Sequence, residues 1–330
     1  MRLSVPTNWD DALLEGAAAY PVTELWGTVT FSPVGAGCVS PAARDLTPPR
    51  VGRHIRRAAE SGFGFNAFLD AACLGNREYD AAVKDRMLDH LGWLTDQGAS
   101  LVTVSSGFLL ELVKTHFPHL KVVVSSNGFV DTVEKARWFE KLGADAFTIA
   151  LDANRDFELL GALRGAVRGE LRLVVNRMCA YQCPYALFHA LFASHASTSR
   201  AYAGWSPPFE NGFLGAAETV IKSRWIRPED LGVYQAMGYE TYVIFGRTPS
   251  SEWLLRAVGA YAAEHYPGNL LDLLDGPCRD HIDPAAVLDN QRLGGFLEHF
   301  RAIDCRHLCH DCDYCRKVAR EALSLKGTAG

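Results

Sequence analysis

No stretch of the 330-residue chain runs to eighteen consecutive apolar residues, so no membrane span is expected. The opening Met1-Arg2-Leu3-Ser4-Val5-Pro6 lacks the charged start and apolar core of a secretory signal, which points to a cytoplasmic location. Charge of one sign is also scarce. A formal net charge of −5 gives no electrostatic case for a general nucleic-acid binder, although a single RNA contact stays open. There is no Walker loop, no His-Glu-x-x-His and no Gly-x-Ser-x-Gly, so the usual marks of nucleotide, zinc-protease and serine-hydrolase chemistry are missing. Gly62-Phe63-Gly64-Phe65-Asn66-Ala67 fits a dinucleotide fingerprint only loosely, because it opens a strand rather than a helix.

The chain has an ordinary globular balance, 48% apolar and 22% charged. One phrase recurs: a helical segment stops at glycine, two residues pass, and an apolar strand begins. It is heard at Trp93 to Val104 around Gly98, at Trp138 to Ile149 around Gly143, and at Tyr234 to Phe245 around Gly238. Glycine suits the left-handed residue that closes a helix, so the phrase reads as the αβ half of a βα unit. Strands are expected at 2–6, 24–31, 63–69, 101–105, 121–126, 146–150, 171–176 and 241–245, with a helix over 131–142 capped by Asp131 and Glu134. Eight units predict an α/β fold of the (β/α)8 TIM-like barrel type. The barrel domain spans 1–267 and carries a long insertion, 177–230, before the eighth strand. Residues 268–330 form a cysteine-rich extension that packs back on the barrel.

Cysteine is what the chain has in clusters. Six of its nine cysteines fall in two groups: Cys179 and Cys183 after the seventh strand, and Cys305, Cys309, Cys312 and Cys315 near the C-terminus. Without an export signal, clustered cysteines read as metal ligands rather than disulfides. Cys309, Cys312 and Cys315 have the C-x2-C-x2-C spacing of ferredoxin-type sites. In those sites the fourth thiolate comes from a distant cysteine followed by proline, the form of Cys183-Pro184. Pro184 suits the first position of a helix to about His195, whose dipole would favour a Cys183 thiolate. These groups are expected to meet at the barrel mouth around a 4Fe-4S cluster. Zinc is the alternative, on the same thiolates or with His307 or His310. Which four of the six bind is open. Cys305, Cys309 and Cys312 also show radical-SAM spacing, but no barrel follows them.

Polar residues at strand ends, Asn66, Asn127, Asn176 and Arg247, are candidate substrate contacts. Arg247, Asn176 and His189 are the candidate catalytic residues, and Arg227, Asn127 and Asn66 the candidate cofactor-binding ones. Arg247 follows the eighth strand, a usual place for an anion-binding group. His189 and His195 also share a helix with apolar neighbours, where a packed histidine is the plainer reading.

The Cys179/Cys183 pair, the stretch Lys222-Ser223-Arg224-Trp225-Ile226-Arg227-Pro228-Glu229-Asp230-Leu231 and the stretch Tyr242-Val243-Ile244-Phe245-Gly246-Arg247-Thr248-Pro249-Ser250 together resemble the peptidase U32 family, the collagenase-like proteins. Gly246 and Arg247 match that family's Lys-Ile-Glu-Gly-Arg-Met-Lys-Ser signature, whereas Val243 and Phe245 replace its lysine and glutamate. The resemblance covers about residues 1–265 and implies oxygen-independent hydroxylation on a 4Fe-4S cluster, with prephenate as hydroxyl donor bound by Arg247 and Arg227. The family's later cysteine pair is missing, so the tail cysteines would have to substitute. A U32-type peptidase with a structural metal, or a non-catalytic subunit working with a protein partner, are the alternative functions. A small molecule or peptide is the expected substrate.

Overall fold

The computed structural model describes residues 1–37, 45–198, 216–246, 250–276, 279 and 281–325. Eight parallel strands close into a barrel: β1 (Arg2–Pro6), β2 (Val22–Gly27), β3 (Gly64–Leu69), β4 (Leu101–Val104), β5 (Lys121–Val124), β6 (Ala146–Thr148), β7 (Glu170–Val174) and β8 (Thr241–Val243). Closure is direct, since β8 pairs with β1 through Arg2–Thr241, Leu3–Tyr242 and Ser4–Val243. All eight expected strands are present. The second starts two residues earlier and stops at Gly27, where Thr7 and Trp9 crowd the backbone so closely that no side chain fits.

The helices are α1 (Asp11–Ala17), α2 (Pro48–Glu60), α3 (Ala81–Asp96), α4 (Gly107–His116), α5 (Val133–Lys141), α6 (Phe157–Ala166), α7 (Ala186–Ala196), α8 (Ala217–Lys222), α9 (Leu231–Ala236), α10 (Ser251–Ala262), α11 (Phe296–Ala302), α12 (Cys305–Leu308) and α13 (Tyr314–Ala322). Their apolar faces and the outward faces of the strands share one continuous core, from Leu3 and Phe65 to Leu254 and Tyr261. Gly98, Gly143 and Gly238 all take positive φ at helix ends, the conformation the recurring phrase required. One cap differs from expectation. Thr132, not Asp131, caps α5 by accepting the Lys135 amide, because Asp131 is drawn into an ion pair with the Lys135 ammonium.

Strand side chains alternate between the barrel interior and the helix layer, so each interior face advances in steps of two. The lowest interior layer is polar. Glu24 accepts hydrogen bonds from Ser4 (2.7 Å), Asn66 (2.8 Å) and Arg172 (2.8 Å), and Asn66 in turn accepts from Thr103 (2.9 Å). Two residues further along the strands come Trp26, Phe68, Val174 and Val243, closed from above by Phe245. Trp26 and Phe68 stack at 4.3 Å, sealing the polar layer from the mouth. The next step of two brings Asp70 above Phe68 and Asn176 above Val174.

The C-terminal extension returns to this end of the barrel. Its first segment runs beside the loop after β7, where Met178 N donates to Asp275 O (2.6 Å) and Asp275 N to Asn176 O (3.0 Å). Gly276 is needed there: its φ is +134°, and a Cβ would lie 2.3 Å from the Met178 oxygen. A short antiparallel pair, β9 (Ala286–Leu288) with β10 (Leu323–Leu325), staples the end of the tail to its beginning, and α13 packs on α8. Among the described residues no helix is long and apolar enough to cross a membrane.

Candidate functional site

A cavity of about 430 Å3 opens at the C-terminal ends of the strands, the end where barrel enzymes carry their sites. Its floor is the aromatic layer of Trp26, Phe68 and Phe245. Its walls carry Asp70, Asn127, Asp131, Asp152, Asp156, Arg177, Cys179, Gln182, His189 and Arg306. An apolar floor under a polar rim suits a ligand with both characters.

Asp70 is the most tightly held of these groups. One carboxylate oxygen accepts the Gly37 amide (2.9 Å), and the other accepts the Ser125 hydroxyl (2.7 Å) and the Asn127 amide (3.3 Å). Burial raises its pKa, and these hydrogen bonds together with the Arg177 charge only partly offset that. The loop after β2 thus reaches the mouth through Gly37, where a Cβ would collide with Asn127. Asp152, on the turn after β6, accepts the Gln182 amide (3.1 Å), and burial raises its pKa as well. Cys179 behaves differently from an activated thiolate. Burial pushes its thiol up, and the Arg177 charge pulls it back only in part.

Beside the mouth lies a second cavity of about 290 Å3, which shares Asp152, Asp156 and Arg306 with the first and adds Arg155, Tyr181, Arg224, Phe300 and Cys305. Arg306 pairs with Asp156, which draws the tail to the mouth.

Two of the six cysteines lie on the loop after β7 and four on the C-terminal extension. The C-x3-C spacing puts Cys305 at the start of α12, whose N-terminus Asp304 caps, and Cys309 one turn on as its C-cap; Cys312 follows on the turn and Cys315 in the first turn of α13. Cys315 is pushed up to about 11 by burial, against Arg155 and Arg224, with Cys305 and Cys309 adding to the rise. Burial likewise raises the Cys305 thiol, Arg224 lowers it in part, and Cys309 and Cys312 add to the rise. Cys179 and Cys183 influence each other at the mouth instead. The helix after Pro184 begins only at Ala186, with Tyr185 as its N-cap, so Cys183 is not at a helix start. His307 and His310 are exposed and paired with Asp304 and Asp311 rather than turned to the thiols, whereas His299 of α11 lies 3.4 Å from Cys312. Among the described residues, no three His, Cys, Asp or Glu side chains are arranged, as they stand, to hold a metal ion.

No family model matches the chain. A Methanocaldococcus jannaschii protein named uncharacterized protease MJ1657 is 29% identical over 286 residues, 83% of this chain and 81% of its own. The solved structure of the U32 peptidase Mk0906 superposes with a TM-score of 0.59 at 25% identity, covering 75% of this chain and 94% of that one. In sequence and in fold the chain is similar to U32 peptidases.

The expected site residues scatter. Asn127 and His189 line the mouth. Asn66 does not reach it: it sits in the sealed layer below, bonded to Glu24 and Thr103. Asn176 is wholly buried and serves as a clasp, donating to Phe245 O (2.8 Å) and Leu273 O (3.1 Å) and accepting the Phe245 amide (2.7 Å). Arg227 is spent on a bidentate pair with Asp230 (2.7 and 2.9 Å) and on Asn290 O (3.1 Å), away from the mouth. Arg247 lies outside the described residues. Sequence reasoning passed over Asp70, Asp152 and Arg177. Each follows an apolar strand within a few residues, a position that marks the C-terminal rim of a barrel.

Proposed function

We propose that the mouth cavity of this chain is the active site of a hydrolase for peptide-like substrates, with Asp70 and Asp152 handling the protons. The likeness to U32 peptidases and the printed names of both relatives, a protease and a peptidase, support the hydrolytic reading. The observation that carries the assignment of residues is that two carboxyl groups with raised pKa values share one cavity above an aromatic floor. In hydrolysis, a carboxylate takes a proton from water as its oxygen bonds to the carbonyl carbon. The C–N bond then breaks, and a carboxylic acid protonates the departing amine. Asp70, the more buried, suits the acid; Asp152, more open and within reach of the Arg224 charge, suits the base. Arg177 is placed to steady the developing oxyanion. The raised Cys179 pKa argues against a thiolate nucleophile.

The test is cleavage of a peptide library followed by mass spectrometry. Asp70→Asn and Asp152→Asn should each lose at least about a hundredfold in rate, while Cys179→Ser retains it. No cleavage by the wild-type chain, or undiminished cleavage by Asp70→Asn, overturns the reading.

A second reading, oxygen-independent hydroxylation on an iron–sulfur centre with a carboxylate donor such as prephenate, draws on one observation. Cys305, the first of the tail thiols, lines a cavity that shares Asp152, Asp156 and Arg306 with the mouth. When bound, such a centre would supply electron transfer; this chain would contribute Arg306 and Arg177 to hold the donor's carboxylates. Anaerobic incubation with and without the donor separates the two: hydrolysis needs neither donor nor reductant.

A further inference from the structure

Two arginines line the side cavity with no carboxylate to neutralise them. Arg224 and Arg155 are 6% and 2% exposed, and both guanidinium groups face the Phe300 ring, at 5.7 Å and 5.0 Å. Arg155 is anchored, its two terminal nitrogens donating to Ile221 O (2.8 Å) and Trp225 O (2.8 Å). Arg224 stacks instead, 3.6 Å from the centre of the Tyr181 ring. The Nε of each has no hydrogen-bond partner. Among the described residues neither forms an ion pair. Of the acids nearby, Asp230 is engaged by Arg227, Asp156 by Arg306 and Asp304 by His307, while Glu158 lies exposed on α6. Asp152 acts on Arg224 from beyond ion-pair distance. The two arginines also repel each other. Guanidinium groups stay charged at neutral pH, and a buried charge is costly unless something of opposite sign sits beside it.

The cavity is where that opposite charge has room. Its volume of about 290 Å3 stands at the lower end of ligand pockets, which suits one residue better than a run of chain. One wall comes from the C-terminal extension, between Phe300 and Arg306, and the other from the turn after β6, Tyr181 and Arg224. Arginine grips a carboxylate through paired hydrogen bonds that fix its orientation. Asp152 belongs to both cavities, so a ligand anchored at Arg224 extends into the mouth beside the group assigned as the base. In a peptide of any sequence, the anion always found one residue from a scissile bond is the α-carboxylate at the C-terminus. Tyr181 and Phe300 offer the side chain of that last residue an apolar surface.

We propose that the side cavity is a carboxylate-binding subsite, in which Arg224, backed by Arg155, receives the C-terminal carboxylate of a peptide substrate. The substrate class rests on the hydrolytic reading of the mouth. Arg155, tied to two backbone carbonyls, holds its charge in place, and Arg224 makes the contact. The chemistry is the hydrolysis already described, at the bond before the bound residue. Water gives its oxygen to the acyl carbon, the C–N bond breaks, and the bound residue leaves as the protonated amine. The chain therefore trims peptides from their C-terminal end rather than cutting within them.

The experiment compares three peptides of one sequence: the C-terminal acid, its C-terminal amide, and an amide whose last residue is glutamate. Binding is read by calorimetry on the full-length Asp70→Asn chain, so that no peptide is consumed. The acid should bind about tenfold to a hundredfold more tightly than the amide. Adding Arg224→Gln should bring that ratio to about one, and Arg224→Lys should keep part of it, with circular dichroism confirming the fold. Equal binding of acid and amide overturns the subsite, whether or not the Arg224 variants fold. So does an acid preference that survives Arg224→Gln. Tightest binding of the glutamate amide makes this a site for acidic side chains and overturns the C-terminal assignment. Turnover by the wild-type chain, followed by amino-acid analysis, separates the two readings. Release of single C-terminal residues from the acid supports both. Internal cleavage without acid preference keeps the hydrolase and removes the subsite, whereas acid-selective binding without cleavage keeps the subsite and removes the hydrolase.

Discussion

The Ser125 hydroxyl donates to the Asp70 carboxylate at 2.7 Å, joining the ends of two strands that are not neighbours in the barrel. Asp70 also takes the Gly37 amide, so three separate segments converge on one carboxyl group. That convergence makes Asp70 a point where stability and activity pull apart.

Burial makes the folded chain hold the Asp70 proton more tightly than the unfolded chain, whose carboxyl titrates near about 3.9. The associated stability is fully present below that pH and is lost as pH rises through the folded-state value. Asp70→Asn removes the titration. Its amide oxygen can still accept from Gly37, and its NH2 can donate to the Ser125 hydroxyl. At pH 7 the variant should be as stable as wild type or more so in urea unfolding, with the advantage vanishing near pH 4. Peptide cleavage should fall at least about a hundredfold. Loss of stability at pH 7 would mean that the carboxylate is there for the fold.

The sealed polar layer below is structural. Glu24 and Arg172 pair at 2.8 Å, with side chains 7% and 5% exposed; removing Arg172 leaves Glu24 charged and buried, and removing Glu24 leaves Arg172 with Glu170 alone (2.8 Å). Glu24→Gln or Arg172→Met should cost about 3–5 kcal/mol in urea unfolding. Replacing both by apolar residues of similar volume should cost much less. A double-mutant cycle with no coupling would show that the layer is held by Ser4 and Asn66 instead.

How much of this could be read beforehand divides along physical lines. The barrel was legible because each βα unit is local: glycines at 98, 143 and 238 stop helices, and runs such as Val122-Val123-Val124 are apolar on both faces. The site was less so. Asn66 and Asp70 occupy the same face of one strand and its extension, yet only Asp70 clears the aromatic layer, because Trp26 stacks on the intervening Phe68. Nothing in a linear pattern places Trp26 there. Arg155 is hidden for a similar reason: its neighbours Phe296 and Cys315 are more than a hundred residues away in the chain.

Arg227, on the turn before α9, is engaged by the fold itself. Its bidentate pair with Asp230 and its bond to Asn290 O tie the turn before α9 to the C-terminal extension. Arg227→Ala should therefore cost about 3–5 kcal/mol of stability by leaving Asp230 buried and unpaired. Any folded fraction should keep an unchanged KM. A raised KM at unaltered stability would return Arg227 to the substrate site.

Gly276 offers the sharpest test of how the tail is seated. With φ at +134° and the Met178 oxygen 2.3 Å from where a Cβ would stand, alanine must both strain its own backbone and push the extension off the loop that bears Cys179. The contact at risk is the pair of hydrogen bonds joining Met178, Asp275 and Asn176. Gly276→Ala should lower stability by at least about 1–3 kcal/mol. It should also raise hydrogen exchange at the Met178 and Asp275 amides while leaving those of β3 and β4 protected. If exchange rises uniformly instead, the extension and the barrel unfold as one unit, and the tail is part of the core.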